Sequence, residues 1–558
     1  MSELMRRYCP RIEFDSYEDF KQNYRCNEPE RFNFAYDIVD EWAALQPDKL
    51  ALVWTDDAGN MKRYTFTDVK RESEKAAALF AAHGVKKGDV VMLVLRQRPE
   101  VWFCMVALMR IGAVCIPASY QLTPKDISYR CNIAGVSVLV SVDEPEIIGH
   151  IRGALPECET LRHLMSVGDT VPEGFIDFRA EMAKTAPGFP RPQGPDAPDN
   201  TDMMLVYFSS GTTGMPKMVW HDFAFPLGHI VTAKYWQCAQ DDGIHMTQTD
   251  SGWAKFAWGK IFGQWICGSA IGAYDTQKFV PHALLEAVMR IRPTTFCAPA
   301  TIYRYLIKED LSGYDLSFIA HASLAGEPLN PEVLRKIKDL TGLTVHEGFG
   351  QTESSVLLAN FAWFPIRPGS TGKPSPLYDI DLIDADGNSC EDGIVGSIVV
   401  KNTDKAHPLG LFRGYWKDDA AMQKSWTSGV YNTGDMAWRD ADGYFWFVGR
   451  SDDVIKCSGY RIGPFEVESV LIEHPAVLEC AVTAAPDPVR GQVVKATIVL
   501  AKGYAASDAL KKELQEHVKR TTAPYKYPRI VEFVDALPKT ISDKIQRGVI
   551  RSRDERKG

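Results

Sequence analysis

Three short runs, VVMLVL at 90–95, VCIPA at 114–118 and VSVLVSV at 136–142, carry almost no polar side chains and stand between segments of helical periodicity. A strand that is apolar on both faces must be covered on both, and a parallel sheet flanked by helices does this. The chain is therefore expected to be α/β. Pro99 opens and Gly112 closes the helix between the first two runs, and Thr67 is placed to cap a helix ending at Gly84. Phe34, Ile38, Trp42 and Leu45 share one face of an earlier helix, ahead of a strand at 50–54. After a proline-rich connection at 184–202 the alternation resumes. Helices are expected at 281–291, 299–309 and 331–340, and strands at 294–298, 318–324 and 343–346.

From Tyr378 the texture changes to short strands around Asp386-Gly387 and Asp442-Gly443, which suit antiparallel hairpins. Beyond Arg450 lies a compact unit with helices expected at 465–473 and 508–520 and strands at 479–484, 493–500 and 530–534. A chain of 558 residues exceeds what one core usually organises. The expected division is a large body, 1–449, of parallel-rich sheets flanked by helices plus a β-rich subdomain, and a small α+β domain, 450–558.

The net charge of −9 gives no general attraction to nucleic acid or anionic membrane, so phosphate binding must be local. The twelve cysteines form no C-x-x-C pair and read as free thiols in a reducing compartment, taken as the cytoplasm. No apolar h-region follows the charged N-terminus. The longest apolar stretch, 101–118, is broken by Arg110, Gly112 and Pro117, which argues for a buried helix and strand over a membrane span.

The run 203–206 leads into YFSSGTTGMPK at 207–217. Gly211 and Gly214 let the backbone approach an anion, Ser209, Ser210, Thr212 and Thr213 add hydroxyl donors, and Lys217 adds a compact positive charge. The same composition also suits a solvated hairpin tip. Met218 stands where a Walker loop requires Ser or Thr, so a metal must be held from elsewhere. Gly348, Phe349, Gly350, Gln351, Thr352 and Glu353 follow the strand expected at 343–346, at the carboxyl end where open α/β sheets bind ligands. Glu353 is a hard oxygen donor suited to magnesium and Thr352 suits a phosphoryl oxygen; the alternative is a loop that opens a helix. Gly326, Glu327 and Pro328 lie at another strand end, where small residues admit a flat purine. Asp435, in NTGD, offers an acceptor-only carboxylate to two ribose hydroxyls, and Arg450, in GRSDD, is a second ribose or phosphate candidate. Taken singly, each also reads as a turn residue or a surface ion pair.

Taken in order, YFSSGTTGMPK, AGEP, GFGQTE, NTGD, GRSDDVIKCSGYRIGPFEVE and PKTISDKIQR resemble the successive core motifs of the acyl-adenylate-forming superfamily over most of the chain. That superfamily includes acyl-CoA synthetases, luciferases and peptide-synthetase adenylation domains. The resemblance implies ATP, Mg²⁺ and coenzyme A as ligands. It places the β,γ-phosphates on residues 209–217, adenine between Gly326, Glu327, Pro328 and Phe349, and ribose on Asp435 and Arg450. Thr352 then meets the α-phosphate, Glu353 holds magnesium, and Lys544 is the catalytic lysine between carboxylate and α-phosphate. Lys217, Thr352 and Glu353 complete the catalytic set. The small domain is implied to swing about Asp452 so that Lys544 leaves and the face around Gly459 approaches. Lys519, Arg520 and Lys526 are candidates for the coenzyme's phosphates, with a solvated basic face as the alternative. One departure is Asp543, which stands where the family usually has glycine before the lysine.

In acetate-activating members a tryptophan beside the shared glutamine closes the acyl channel; Gly350 stands there in this chain, which implies a deeper channel. TDSGWAKFAWG at 249–259 resembles medium-chain acyl-CoA synthetases, and Trp253, Phe256 and Trp258 are candidate pocket residues, with core filling as the alternative. The expected activity is AMP-forming acyl-CoA synthesis on a medium-length, branched or aryl carboxylate, with no nucleic-acid or membrane partner. Two rivals are an adenylation unit serving another acceptor and a non-catalytic nucleotide-binding relative.

Overall fold

The computed structural model describes residues 3–209, 215–457, 460–488, 490–540 and 544–555. Among them are two large mixed sheets. In the first, the parallel strands Val90–Val94, Val114–Pro117, Val136–Val142, His163–Val167, Ile176–Asp177 and Met203–Ser209 are joined by antiparallel Lys217–Asp222 and Gly414–Tyr415. In the second, Leu50–Asp56, Ala270–Asp275, Ile244–Thr247, Thr295–Ala298, His321–Ala325 and Val345–Phe349 run parallel, with antiparallel strands at both edges. The three apolar runs are strands buried along their whole length or nearly so.

The helix Glu100–Ile111 sits in the core that residues of both large sheets share, which explains why its surface is apolar all round. Its two charges lie at its ends: Glu100 pairs with Arg179 at 2.7 Å, and Arg110, fully buried, donates to Ser73 at 3.0 Å and pairs with Asp40. Gly112 closes the helix at φ 83°, a left-handed cap that only glycine adopts without strain. The cap of the preceding helix, Phe66–Ala82, is Thr65 and not Thr67: Thr65 and Asp68 form a capping box, while Thr67 donates to the Pro47 carbonyl at 2.7 Å. The strand Met61–Thr65 runs directly into this helix, so the cap falls two residues earlier than expected. The helix expected around Phe34–Leu45 is also irregular, with a π-helical turn over Ala35–Asp40 before Glu41–Leu45, and two short helices, Glu3–Tyr8 and Tyr17–Asn23, precede it.

The Asp-Gly turns join antiparallel strands as expected, between Asp379–Ile383 and Gly396–Lys401 and between Val430–Arg439 and Phe445–Arg450. After residue 453 a separate sheet, built on Val477–Asp487 and Gly491–Leu500, packs against Pro464–Ile472 and Asp508–Thr521 around its own core, including Val467, Leu471, Val482, Ile498 and Leu514. The last helix, Arg547–Glu555, closes over the same strands. No disulfide joins any of the described cysteines.

Candidate active site

The strand Met203–Ser209 returns as Lys217–Asp222, with Ser209 paired to Lys217 across the hairpin. Ser210, Gly211, Thr212, Thr213 and Gly214 lie outside the described residues, as do Gly459 and Asp543. On the second sheet Ala325 pairs with Gly348, so the AGEP and GFGQTE segments leave neighbouring parallel strands side by side. The strand Val345–Phe349 runs further than expected, so Gly348 and Phe349 belong to it and not to the following loop.

Tyr415 joins the two sheets chemically. Its hydroxyl donates to Glu353 Oε1 at 2.9 Å, and the Lys217 ammonium lies 4.6 Å from its ring centroid, within cation–π range. The carboxylate beside the hydroxyl and burial together hold the Tyr415 phenol protonated, with burial the larger cause. His221, buried and kept neutral by burial, donates from Nε2 to the Thr352 carbonyl at 2.9 Å and fixes the backbone of that loop. Lys217, Thr352 and Glu353, three residues singled out in the sequence, thus lie about one place.

A second network sits beside it. Gln351 donates from Nε2 to the Thr433 carbonyl at 2.8 Å and to Asp435 Oδ2, while Tyr431 donates its hydroxyl to Gln351 Oε1 at 2.7 Å. Asp435 and Arg450 face each other as cross-strand partners, with Arg450 Nη1 3.6 Å from Asp435 Oδ2. Burial pushes the Asp435 carboxyl up to about 6, against the lowering effect of Arg450, Gln351 and Lys544. Lys544 itself is exposed, yet its charge bears on both Asp435 and Lys255. Lys544 of the C-terminal unit therefore lies within electrostatic reach of Asp435 and Lys255 of the large body.

The other expected residues fall less simply. The Glu327 side chain accepts from Thr301 at 2.6 Å and pairs with Arg304 at 3.2 Å, so it braces the helix Ala300–Leu306 instead of facing a base. Gly326 has φ 108°, and a Cβ there would lie 3.1 Å from Lys255 Nζ. A Cβ on Gly348 would lie 2.5 Å from the Trp236 indole and one on Gly350 2.3 Å from that of Trp258. These two glycines make room for indoles, not for phosphate. Trp258, 5% exposed, donates to the Ser354 carbonyl at 3.0 Å and fills the place beside Gly350, so the missing tryptophan of the loop is replaced by one from a helix. Phe256 is fully buried against Trp102 and is core, whereas Trp253 is half-buried. Lys519 is paired with Glu516 and Lys526 with Glu466, and neither joins the nucleotide cluster. Asp452 lies 3.9 Å from Arg450 Nε.

Sequence reasoning missed Tyr415, Tyr431 and Lys255. Lys255 is half-buried, donates from Nζ to the Ala325 carbonyl, and is lowered to about 8 by desolvation of its ammonium. The signal available for it was a lysine set among aromatics in GWAKFAWG; nothing local marks either tyrosine.

Comparison with known proteins agrees with this geometry. Residues 39–416 match the AMP-binding enzyme family and 466–544 its C-terminal domain. The chain is 40% identical to mouse acyl-coenzyme A synthetase ACSM3, mitochondrial, over 97% of this chain and 94% of that protein. It is 41% identical to rat acyl-coenzyme A synthetase ACSM5, mitochondrial, over 94% and 91%. Among solved structures, the anthranilate CoA ligase AuaEII in complex with anthranoyl-AMP superposes with a TM-score of 0.86 at 28% identity, covering 94% of this chain and 98% of that one. Brucella canis acyl-CoA synthetase gives 0.71 at 30%, covering 98% and 100%. The mitochondrial designation of the relatives overturns the expectation of a cytoplasmic protein. That expectation rested on free thiols, which a reducing compartment of any kind permits. The match over more than half its length places this chain in the AMP-binding enzyme family.

Proposed function

We propose that the site performs AMP-forming acyl-CoA synthesis on a medium-length, branched or aryl carboxylate, in two half-reactions. The supporting observation is the convergence of Lys217, Tyr415 and Glu353 at one point while Lys544 acts on Asp435 from the small unit. In this reading Lys217 meets the β,γ-phosphates of ATP, Thr352 the α-phosphate, and Asp435 with Arg450 the ribose. Phe349, tilted against Phe447 at 5.9 Å, borders the adenine. The unit 450–558 is the mobile domain and Asp452 its hinge.

Magnesium fits the residues present. No group of three acidic or soft ligands occurs among the described residues, and Mg²⁺ is usually held by one or two carboxylates with phosphates and water. Glu353 would hold it, with Tyr415 fixing one of its oxygens. Bound there, the ion would supply charge neutralisation for the phosphates.

The carboxylate oxygen attacks the α-phosphorus and pyrophosphate leaves. Both reactants are anionic, so Lys544 offsets their repulsion and the charge that grows between them. Lys255 adds a second cation, beside Ala325 and Gly326. The thiolate of coenzyme A then attacks the acyl carbon of the mixed anhydride and AMP departs.

The test is pyrophosphate release over a panel of carboxylic acids, with and without coenzyme A, for the native chain and Lys544→Ala. Thioester formed only with coenzyme A is the expected result; adenylate without thioester would favour another acceptor. Removing Lys544 should slow adenylate formation by about 10²–10³-fold and leave thioester formation from supplied acyl-adenylate nearly intact. Equal loss of both half-reactions would refute the role given to Lys544.

A further inference from the structure

We infer that Asn330 is a positioning residue for the adenylate-forming half-reaction, acting through a hydrogen bond that joins the large body to the small unit. This rests on the two-step reading above. Asn330 follows the AGEP segment by two residues and is 4% exposed. Its Oδ1 accepts the Glu332 N–H at 2.7 Å and so caps the helix Pro331–Thr341, while its Nδ2 donates to the Ser469 carbonyl at 2.6 Å. One side chain therefore ties a body helix to the helix Pro464–Ile472 of the small unit.

From Ser469 the path to Lys544 is short and rigid. The preceding residue, Glu468, is buried and accepts two hydrogen bonds of 2.8 Å from Arg547, as well as the Val482 N–H at 2.7 Å. Arg547 opens the last helix three residues beyond Lys544, and that helix is held again by Lys495 to Asp554 at 2.6 Å and by Arg551 to Asp453. On the opposite flank Arg304 and Lys308 of the body bear electrostatically on Glu479, which pairs with Lys539 at 2.9 Å. The Lys544 segment is thus braced on both sides by contacts to the body and to its own unit.

The Asn330 to Ser469 bond has one end on each part, so it must break when the small unit turns Lys544 away. It therefore favours the arrangement in which Lys544 serves the nucleotide and contributes nothing to the later step.

Asn330→Asp separates the two roles of this side chain. Aspartate caps a helix as well as asparagine does, but it has no N–H to give to Ser469 and sets an acceptor against that carbonyl. ATP–pyrophosphate exchange should fall about tenfold while thioester formation from supplied acyl-adenylate stays at its native rate, and the melting temperature should fall modestly, by the cost of a buried carboxylate without its donor. Asn330→Ala should show the same fall in exchange with an added loss of thermal stability from the missing cap. Native exchange in Asn330→Asp, or an equal fall in both half-reactions, would overturn the inference. Failure of the broader reading would look different, because the native chain itself would then show no acid-dependent exchange.

Discussion

The ends proposed for the nucleotide and for the acyl group both lean on the segment 345–354 and are built in opposite ways. At the nucleotide end, polar groups hold one another: Gln351 between Tyr431 and Asp435, Glu353 against Tyr415, Tyr415 under Lys217. At the acyl end, Gly348 and Gly350 are bare so that Trp236 and Trp258 can lie against the backbone. The first end is ordered by hydrogen bonds that must be satisfied once buried; the second is ordered by shape. A substitution at one end should therefore leave the other largely intact.

The largest break in that comparison comes from Trp258→Ala. Its indole occupies the space beside Gly350, so truncation opens a cavity where the acyl group would end. The ratio of kcat/KM for a bulkier over a smaller acid should rise by about 10–100-fold, the scale set by a methylene or two in an apolar pocket. The KM for ATP should stay within about twofold of native, and the fold should lose roughly 3 kcal/mol, read by denaturant unfolding. A matching change in KM for ATP would show that the ends are not separable.

The contrast also explains what the sequence revealed. Lys217 and Glu353 stood out as charged residues beside strand ends and Asp435 through its Gly-Asp pair, whereas Lys544 was marked only by the order of the motifs. The partners that make them a site did not, because Tyr415, on the two-residue strand Gly414–Tyr415, and Tyr431, near the start of Val430–Arg439, reach the loop only through strand pairing. Gly350 was legible as an opening, but whether an opening is filled depends on a side chain ninety-two positions earlier in sequence, Trp258, that only packing brings back. The alternation of strand and helix was read nearly to the residue for 281–291 and 136–142. Thr65 was missed as a cap because Thr67 lies as close to the same apolar face, and only the capping box with Asp68 decides between them.

A smaller effect is expected at the nucleotide end from Tyr415→Phe. The ring under Lys217 remains while the hydrogen bond to Glu353 is lost, and such bonds to charged groups contribute about 1.5–3 kcal/mol. The KM for ATP should rise about tenfold, and the apparent affinity for magnesium, titrated at fixed ATP, should weaken with it. Unchanged acid preference would sharpen the comparison, since Tyr415 has no part in the shape of the acyl end.

The last test uses pH and concerns Asp435, the buried acid of the nucleotide end. Burial raises its folded pKa from 3.8 to about 6. The carboxyl's contribution to the stability of the free protein is therefore present below about 4 and is lost as pH rises through about 6. Nucleotide binding has the opposite sign, because only the ionised form offers acceptors alone to two ribose hydroxyls. The stabilisation by saturating ATP, read as a shift in melting temperature, should grow between pH 5 and pH 7 in the native protein, about the value near 6. In Asp435→Asn the shift should be smaller at every pH and flat across that range. A native shift that is also flat from pH 5 to 7 would mean that the bound nucleotide does not depend on this carboxylate, and the polar half of the contrast would lose its best buried member.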